Sequence, residues 1–230
     1  ASPRSSSSCL AMGTFGSKPS RDPLGLGVFG GTFDPIHNGH LRIALDAREA
    51  LGLNQVRLIP LAQAVHRDQP ETPAELRLAM LQASLAGRQD LVADDRELRR
   101  TGPSYTIDTL RSLKRDYPEA SLCLLLGADA FANFTRWRDP EGIIAAANIA
   151  VLERPGQAQT FDRGLERLIA ARRVDQLEPR RSGQVLFCPV TQLDIASSDI
   201  RRRIAAGHSA DFLTPPAVVD FIARHGLYHR

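Results

Sequence analysis

Twelve consecutive residues, 30–41, combine the residue types best suited to phosphate chemistry: Gly-Gly-Thr-Phe-Asp-Pro-Ile-His-Asn-Gly-His-Leu. The paired glycines Gly30 and Gly31 let a ligand approach the backbone closely, because neither carries a Cβ. His37 and His40 stand three residues apart at the predicted start of a helix, so both imidazoles can face one phosphate and donate hydrogen bonds to its oxygens. Free amides and the positive end of the helix dipole favour an anion there. The segment therefore predicts a phosphate site.

Each element of this segment also has a purely structural explanation. A Gly-Gly turn usually needs no ligand, and a histidine at a helix start is often only a cap. A zinc site is disfavoured because the spacing is not His-Glu-x-x-His and no cysteine lies nearby. The Gly-x-Gly-x-x-Gly fingerprint of dinucleotide binding is absent from the segment as well. The specificity lies in the combination of all twelve residues.

The elements that must position this segment follow from the apolar pattern. Strands are predicted at 26–29, 56–59, 122–126, 149–152 and 185–187; helices are predicted at 39–51, after a capping box at 72–75, at 106–116, after a Ser197 cap, and from Pro216. Strands that alternate with helices form βαβ units and a parallel sheet. Right-handed crossovers then give an α/β, doubly wound parallel sheet with its ligand crevice at the carboxyl ends of the strands.

Length and composition indicate one globular domain. The chain has 230 residues, of which 43% are hydrophobic and 24% charged, which is enough apolar material for a substantial core. Residues 1–24 include four consecutive serines and no periodicity, so we expect a disordered leader or a cloning remnant, followed by a single domain at 25–230. No apolar run approaches the ~20 residues of a membrane span, so no membrane partner is expected.

The cysteines and the net charge indicate the cellular compartment and the class of binding partner. The three cysteines, Cys9, Cys123 and Cys188, are far apart and form no C-x-x-C pair, which favours a reducing compartment such as the cytoplasm. The net charge of +3 suits an anionic small molecule better than a long nucleic acid. A non-enzymatic nucleotide sensor or a basic nucleic-acid binder remains the alternative from a different class. Against a nucleic-acid binder, aromatic residues make up only 6% and do not interleave with the arginine pairs.

The segment 30–41 matches the G-G-x-F-D-P-x-H-x-G-H signature of the nucleotidyltransferase superfamily. From about residue 27 to 228 the chain resembles the bacterial nicotinate-nucleotide adenylyltransferases. The resemblance implies a Rossmann-like nucleotidyltransferase fold and an enzyme of NAD biosynthesis. Such enzymes transfer AMP from ATP to nicotinic acid mononucleotide and release pyrophosphate, with Mg²⁺ accompanying ATP. Both substrates are small molecules, no nucleic-acid partner is implied, and the oligomeric state stays open.

The resemblance implies two sets of site residues on the ATP side. The ATP-binding set comprises the first loop, an Arg-Pro-Gly run and the start of a late helix within 195–201: Gly30, Gly31, Thr32, Phe33, Arg154, Ser197 and Ser198. The catalytic set comprises His37, His40 and Arg201, of which the arginine would hold the pyrophosphate. No protein ligand for a metal is implied.

On the mononucleotide side, the resemblance rests on three shorter motifs. The Pro-Ser-Tyr-Thr run implies that Ser104, Tyr105 and Thr106 help to bind the nicotinate moiety. The Gly-Ala-Asp turn at 127–129 implies that the Asp129 carboxylate lies near the substrate ribose, and Trp137 falls where the family stacks an aromatic residue on the pyridine ring.

The chain departs from the family at two positions. The family has two prolines before a His-basic pair, whereas residues 64–67 read Ala-Val-His-Arg, and Arg138 stands where an aromatic residue is frequent. Nicotinamide mononucleotide and phosphopantetheine remain the alternative acceptors. Phosphopantetheine adenylyltransferases usually carry threonine at the position of His37 and lack the Pro-Ser-Tyr-Thr and Trp segments, which favours the nicotinate substrate.

Overall fold

The computed structural model describes residues 24–63, 69–153, 160–178 and 180–229. The strands are β1 Gly25–Gly31, β2 Gln55–Pro60, β3 Leu91–Ala93, β4 Ser121–Gly127, β5 Asn148–Glu153 and β6 Val185–Pro189. The helices are α1 Asn38–Ala50, α2 Ala74–Ser84, α3 Thr106–Asp116, α4 Ala128–Phe131, α5 Pro140–Ala146, α6 Arg163–Arg172, α7 Ser197–Ala205 and α8 Pro216–His225, with a 3₁₀ turn at Phe134–Arg136.

The six strands form one parallel sheet in the order β3-β2-β1-β4-β5-β6. The chain winds outward from β1 to β3 and then returns to place β4 on the other side of β1, so the direction of winding reverses between β1 and β4. In open α/β sheets the ligand crevice lies at this switch point, outside the carboxyl ends of the strands. The predicted α/β, doubly wound parallel sheet is confirmed.

The register of β1 shows how the crevice opens. β1 pairs with β2 as far as Gly31, which lies opposite Pro60, but it pairs with β4 only as far as Val28, opposite Leu124. The last residues of β1 are therefore bonded on one side only. This one-sided ending exposes Gly30 at the switch point.

Both faces of the sheet are covered by apolar cores, as a parallel sheet requires. In β4, Cys123 and Leu125 point into the core beneath α1, α2, α7 and α8, whereas Leu122, Leu124 and Leu126 point into the core beneath α3 and α5. This alternation explains why the strand is apolar at every position. Among the described residues, no helix is long and apolar enough to cross a membrane.

All five predicted strands are confirmed, as are the predicted helices at 106–116 and from Pro216. The predicted capping box at 72–75 is wrong. Helix α2 begins at Ala74 with Pro73 as its N-cap and no side-chain cap, because the Thr72 side chain instead hydrogen-bonds Tyr228. The predicted Ser197 cap is wrong as well: Ala196 is the N-cap of α7.

The structure adds elements that the sequence pattern did not predict, namely β3, α4, α5 and α6. Strand β3 has only three residues, which is too few for a periodic signal. Residues 1–23 lie outside the described residues, so the predicted leader stays a prediction.

Candidate active site

The loop that joins β1 to α1 is shaped by its two glycines in different ways. A Cβ on Gly31 would lie 2.7 Å from the ring of Phe33, so the buried ring packs against this glycine because it has no side chain. Phe33 itself has a φ of 49°, in the left-handed region that non-glycine residues rarely adopt. A Cβ on Gly30 would meet nothing within 4 Å, so the space beside this residue is open.

His37 and His40 form a stacked pair at the start of α1. Their ring centroids are 3.7 Å apart with an interplanar angle of 25°. His37 is the N-cap of the helix, and its Nδ1 accepts the backbone N–H of His40 at 3.3 Å. The His40 ring also meets the edge of Phe33, with centroids 5.1 Å apart. The predicted juxtaposition of the two imidazoles is present in the structure.

Both imidazoles are neutral at physiological pH. Burial lowers the pKa of His37 from 6.5 to about 4. Burial and the neighbouring His37 lower the pKa of His40 to about 3. Since Nδ1 of neutral His37 accepts a hydrogen bond, its proton resides on Nε2, which can donate to a ligand oxygen.

The backbone amides of α1 are less free than the sequence suggested. The amide of Asn38 donates to the Leu213 carbonyl at 2.9 Å, and the amide of His40 donates to His37. At α1, an anion would therefore be bound mainly by imidazole donors and the helix dipole rather than by a full set of free amides.

A buried arginine that the sequence analysis missed holds this loop in place. Arg77 is 1% exposed, and its guanidinium donates to the carbonyls of Thr32 and Leu61, each at 2.6 Å, and of Thr72 at 3.0 Å. Arginine stays protonated in proteins even though burial lowers the pKa of Arg77. The sequence did contain a signal for this role. Arg77 precedes Met80 by three positions and Leu81 by four, so it lies on the buried face of α2.

Asp34 connects the loop to the C-terminal part of the chain. Its carboxylate accepts the Tyr228 hydroxyl at 2.6 Å, and its carbonyl accepts from Arg201 at 2.7 Å. The next carbonyls are bonded as well: Pro35 accepts from the Ser197 hydroxyl at 2.9 Å, and Ile36 accepts from the Thr214 hydroxyl at 2.7 Å. The residues just before His37 are therefore fixed by contacts more than 150 positions away in sequence.

The contact between Ser197 and Pro35 brings the start of α7 against the start of α1. A Cβ on Gly39 would lie 3.7 Å from the carbonyl oxygen of Ile195, just before α7. Within the described chain, the amides of Ser197 and Ser198 have no hydrogen-bond partner, and Ser198 is exposed. Two helix N-termini, two imidazoles and the Arg201 guanidinium thus converge on one place, which is an arrangement suited to an anion with several charges.

Two polar atoms of the same loop are buried without a partner. The hydroxyl oxygen of Thr32 and Nδ1 of His40 have no hydrogen bond to any residue that the structure describes. Buried polar groups are nearly always bonded, so such atoms call for an explanation. Both atoms belong to the segment 30–41, for which the sequence predicts a phosphate site.

The residues predicted to bind the mononucleotide lie on the other side of the crevice. The Ser104 hydroxyl accepts from the amides of Ala62 and Gln63, at 3.3 and 3.4 Å, and so ties the start of α3 to the end of β2. Tyr105 is the N-cap of α3, and Thr106 is the first residue of that helix. Since α3 follows β3 and precedes β4, its N-terminus lies at the carboxyl edge of the sheet.

Asp129 and Trp137 come from the segment that follows β4. Asp129 lies in the short helix α4, directly after the carboxyl end of β4, and is exposed. Trp137 is half-buried, with its ring centroid 5.8 Å from that of Phe134. Arg154, and the His66 and Arg67 pair, lie outside the described residues.

No group of three or more histidine, cysteine, aspartate or glutamate side chains that could hold a metal ion occurs in the described ranges. Asp34, the carboxylate nearest in sequence to the histidine pair, is buried and bonded to Tyr228.

Comparison with known proteins now assigns the family. The family description "Cytidylyltransferase-like" matches residues 28–203. A probable nicotinate-nucleotide adenylyltransferase of Pseudomonas syringae is 43% identical over 209 residues, which cover 90% of this chain and 94% of that protein. A protein of the same description from Hydrogenovibrio crunogenus is 41% identical and covers 88% of this chain and 97% of its own length. The chain belongs to the nicotinate-nucleotide adenylyltransferase family.

Solved structures support the fold assignment at lower sequence identity. A nicotinic acid mononucleotide adenylyltransferase of Plasmodium falciparum, complexed with NaAD, matches with a TM-score of 0.66 at 18% identity, covering 89% of this chain and 97% of that one. A putative nicotinate-nucleotide adenylyltransferase of Vibrio parahaemolyticus matches with a TM-score of 0.60 at 19% identity, covering 90% and 96%. Membership of this nucleotidyltransferase family makes the protein an enzyme, as the resemblance implied.

Proposed function

We propose that the enzyme transfers the adenylyl group of MgATP to nicotinic acid mononucleotide, giving nicotinic acid adenine dinucleotide and pyrophosphate. The observation that carries the proposal is the convergence of the stacked histidines with the start of α7, beside the open face of Gly30. This place lies at the carboxyl end of β1, next to the switch point. The matching relatives, which carry the name of this activity over nearly the whole chain, support the choice of reaction.

The reaction is an in-line displacement at phosphorus. An oxygen of the mononucleotide 5′-phosphate attacks the α-phosphorus of ATP, and the bond from that phosphorus to the oxygen that bridges to the β-phosphorus breaks. The bonding electron pair leaves with pyrophosphate. A phosphate monoester has its second pKa near 6, so the attacking group is already largely dianionic at neutral pH and no general base is required. Catalysis then depends on positioning and on stabilising the developing charge.

His37 and His40 supply the donors nearest the reacting phosphorus in this proposal. With its proton on Nε2, His37 donates to a phosphate oxygen while its Nδ1 remains bonded to the His40 amide. A neutral donor held in place by stacking needs little reorganisation as charge develops. The anion would in turn favour protonation of the imidazoles, which would strengthen the interaction.

The leaving group is assigned to the start of α7. The amides of Ser197 and Ser198 and the remaining donors of Arg201 would bind the pyrophosphate oxygens. Arg201 keeps one donor on the Asp34 carbonyl, so the same side chain links the leaving-group site to the histidine loop. Gly30, Gly31, Thr32 and Phe33 would border the ATP site, and Arg154 stays part of this proposal from sequence alone.

The mononucleotide is assigned to the opposite side of the crevice. Trp137 would stack on the pyridine ring, and the exposed Asp129 would accept from the ribose hydroxyls at the end of β4. Ser104, Tyr105 and Thr106 form the wall of this pocket at the start of α3. The two substrates would then meet across the switch point, with the 5′-phosphate directed at the histidines.

The cellular setting follows from the same proposal. Both described cysteines, Cys123 and Cys188, are free, which fits a reducing compartment such as the cytoplasm. The expected partners are the small-molecule substrates alone. Their anionic character fits the net charge of +3.

The test is magnesium-dependent release of pyrophosphate from ATP, with nicotinic acid mononucleotide, nicotinamide mononucleotide and phosphopantetheine compared as acceptors. The proposal expects kcat/KM to be highest for nicotinic acid mononucleotide. A preference for nicotinamide mononucleotide would contradict the proposed acceptor substrate but would leave the proposed adenylyl transfer intact. Release with none of the three would overturn the assignment of the acceptor pocket.

A further inference from the structure

On the mononucleotide side, Arg138 is a cation that has no counter-ion among the residues that the structure describes. Its guanidinium carbon lies 4.5 Å from the centre of the Tyr105 ring, so the planar group rests over the aromatic face. The side chain is exposed, and within the described chain it forms no salt bridge and no hydrogen bond. Stacking on an aromatic face restricts the arginine without occupying its N–H donors.

The carboxylate next to it in sequence is already committed elsewhere. One oxygen of Asp139 accepts the Gly142 amide at 3.0 Å and caps α5. The other accepts from Arg111 at 2.7 Å. Asp139 therefore pairs with Arg111 and leaves the charge of Arg138 available to a ligand.

Arg138 and Tyr105 lie at the crevice. Tyr105 is the N-cap of α3, so the guanidinium lies close to the positive end of this helix. Trp137, the immediate neighbour of Arg138 in sequence, packs against Phe134 from the segment after β4. The Arg138 charge, the Trp137 ring and the N-terminus of α3 thus lie together at the carboxyl edge of the sheet, on the acceptor side of the switch point.

We propose that Arg138 determines acceptor specificity by binding the carboxylate of the pyridine ring. This inference rests on the proposed function and goes beyond it by naming the residue that distinguishes an acid from an amide. A guanidinium offers paired N–H donors that match a carboxylate and carries the opposite charge. A neutral carboxamide gains only an ordinary hydrogen bond from the same group.

The test compares Arg138→Gln with wild type on two acceptors, nicotinic acid mononucleotide and nicotinamide mononucleotide. KM is measured for each by pyrophosphate release, and an inhibition constant replaces it where turnover is slow. Arg138→Gln is expected to raise KM for the acid about tenfold, the scale of a partly screened charge-assisted hydrogen bond, with the value for the amide changed less than about twofold. Arg138→Lys, which keeps the charge, is expected to restore part of the preference.

Arg136→Gln is the matched control. This variant removes the same charge two residues away, at an exposed arginine whose side chain contacts no charged or hydrogen-bonding partner in the described chain, so both constants are expected to stay at wild-type values. Equal changes for both acceptors in Arg138→Gln, or no change for either, would overturn the specificity role. If wild-type enzyme shows no turnover with nicotinic acid mononucleotide, the proposed function itself fails, which is a separate result.

Discussion

The Nδ1 atom of His37 accepts the backbone N–H of His40 at 3.3 Å while the two imidazole rings stack 3.7 Å apart. One side chain thus caps helix α1 and orients the second histidine. The same contact fixes the tautomer of His37 and directs its remaining proton to Nε2. The start of α1 and the imidazole hydrogen-bond donors are therefore one structural unit.

The first prediction concerns stability as a function of pH. The pKa values of His37 and His40 in the folded protein are lowered to about 4 and about 3, from 6.5 for a free side chain. Below pH 6.5 the unfolded chain binds protons that the folded chain does not. We therefore expect the free energy of unfolding to be highest above pH 6.5 and to fall as the pH decreases toward 4, by on the order of 1–3 kcal/mol for each histidine.

Two measurements check this pH dependence. Denaturant unfolding at several pH values gives the free energy, and the decline is expected to be smaller in His40→Asn. Imidazole ¹⁵N chemical shifts give the protonation states directly, and the signals of both rings are expected to stay constant between pH 8 and pH 5.5. Titration of either ring near pH 6.5 would contradict the account.

The second prediction concerns Tyr228, whose hydroxyl bonds the buried Asp34 carboxylate. Burial and this carboxylate raise the pKa of Tyr228, so the hydroxyl remains a donor at any physiological pH. Tyr228→Phe leaves the carboxylate short of one hydrogen bond. We expect a loss of about 1–3 kcal/mol in the free energy of unfolding. We also expect kcat to fall, because the loop that bears the histidines is loosened.

Tyr117→Phe serves as the matched control for Tyr228→Phe. The Tyr117 hydroxyl accepts from Arg57 at 2.6 Å, within a network of β2 and α3 that does not touch the histidine loop. This variant is expected to lose stability but to keep kcat. Equal effects of the two variants on kcat would show that Tyr228 has no special connection to the site.

The third prediction concerns Arg77, which donates to three carbonyls while almost fully buried. Arg77→Met removes the donors and leaves those carbonyls without partners. We expect the free energy of unfolding to fall by about 3 kcal/mol or more. In contrast, Arg99→Met removes an exposed salt bridge to Asp95 and is expected to change it by less than about 1 kcal/mol. Chemical denaturation of both variants decides the point.

The fourth prediction concerns Trp137 as a stacking surface. Trp137→Ala is expected to raise KM for nicotinic acid mononucleotide at least several-fold, since stacking contributes about 0.5–1.5 kcal/mol beyond the area buried. The KM for ATP should change little. Phe212→Ala, at an aromatic residue that is 93% exposed, is the control and should leave both constants unchanged. An unaltered KM for the mononucleotide in Trp137→Ala would remove the ring from the binding site.

The sequence predicts those helices and strands whose own residues carry a clear apolar pattern. The strand at 122–126 is apolar throughout, and the helix at 106–116 carries a clear stripe, so both were predicted. Helix α5 was missed although Asp139 followed by Pro140 is a cap followed by a proline at the first position. In α2 the buried positions are Arg77, Met80 and Leu81, so a charged residue obscured the apolar face.

The active site likewise contains residues that the sequence predicts and contacts that it does not. The histidine pair was predicted because both residues lie within one twelve-residue segment. The contacts that hold it could not be predicted: Arg77 reaches Thr32 over 45 positions, and Tyr228 reaches Asp34 over 194. Such pairings depend on how the helices pack across the sheet, which no local pattern records.

The most direct test of the account is kcat of His40→Ala with saturating MgATP and nicotinic acid mononucleotide. Removing one donor aimed at a reacting phosphate typically costs about 10²–10³ in rate. We expect a loss of that size, with the melting temperature and circular dichroism spectrum showing an intact fold. A folded variant with nearly wild-type turnover would contradict the assignment of His40 to the chemical step.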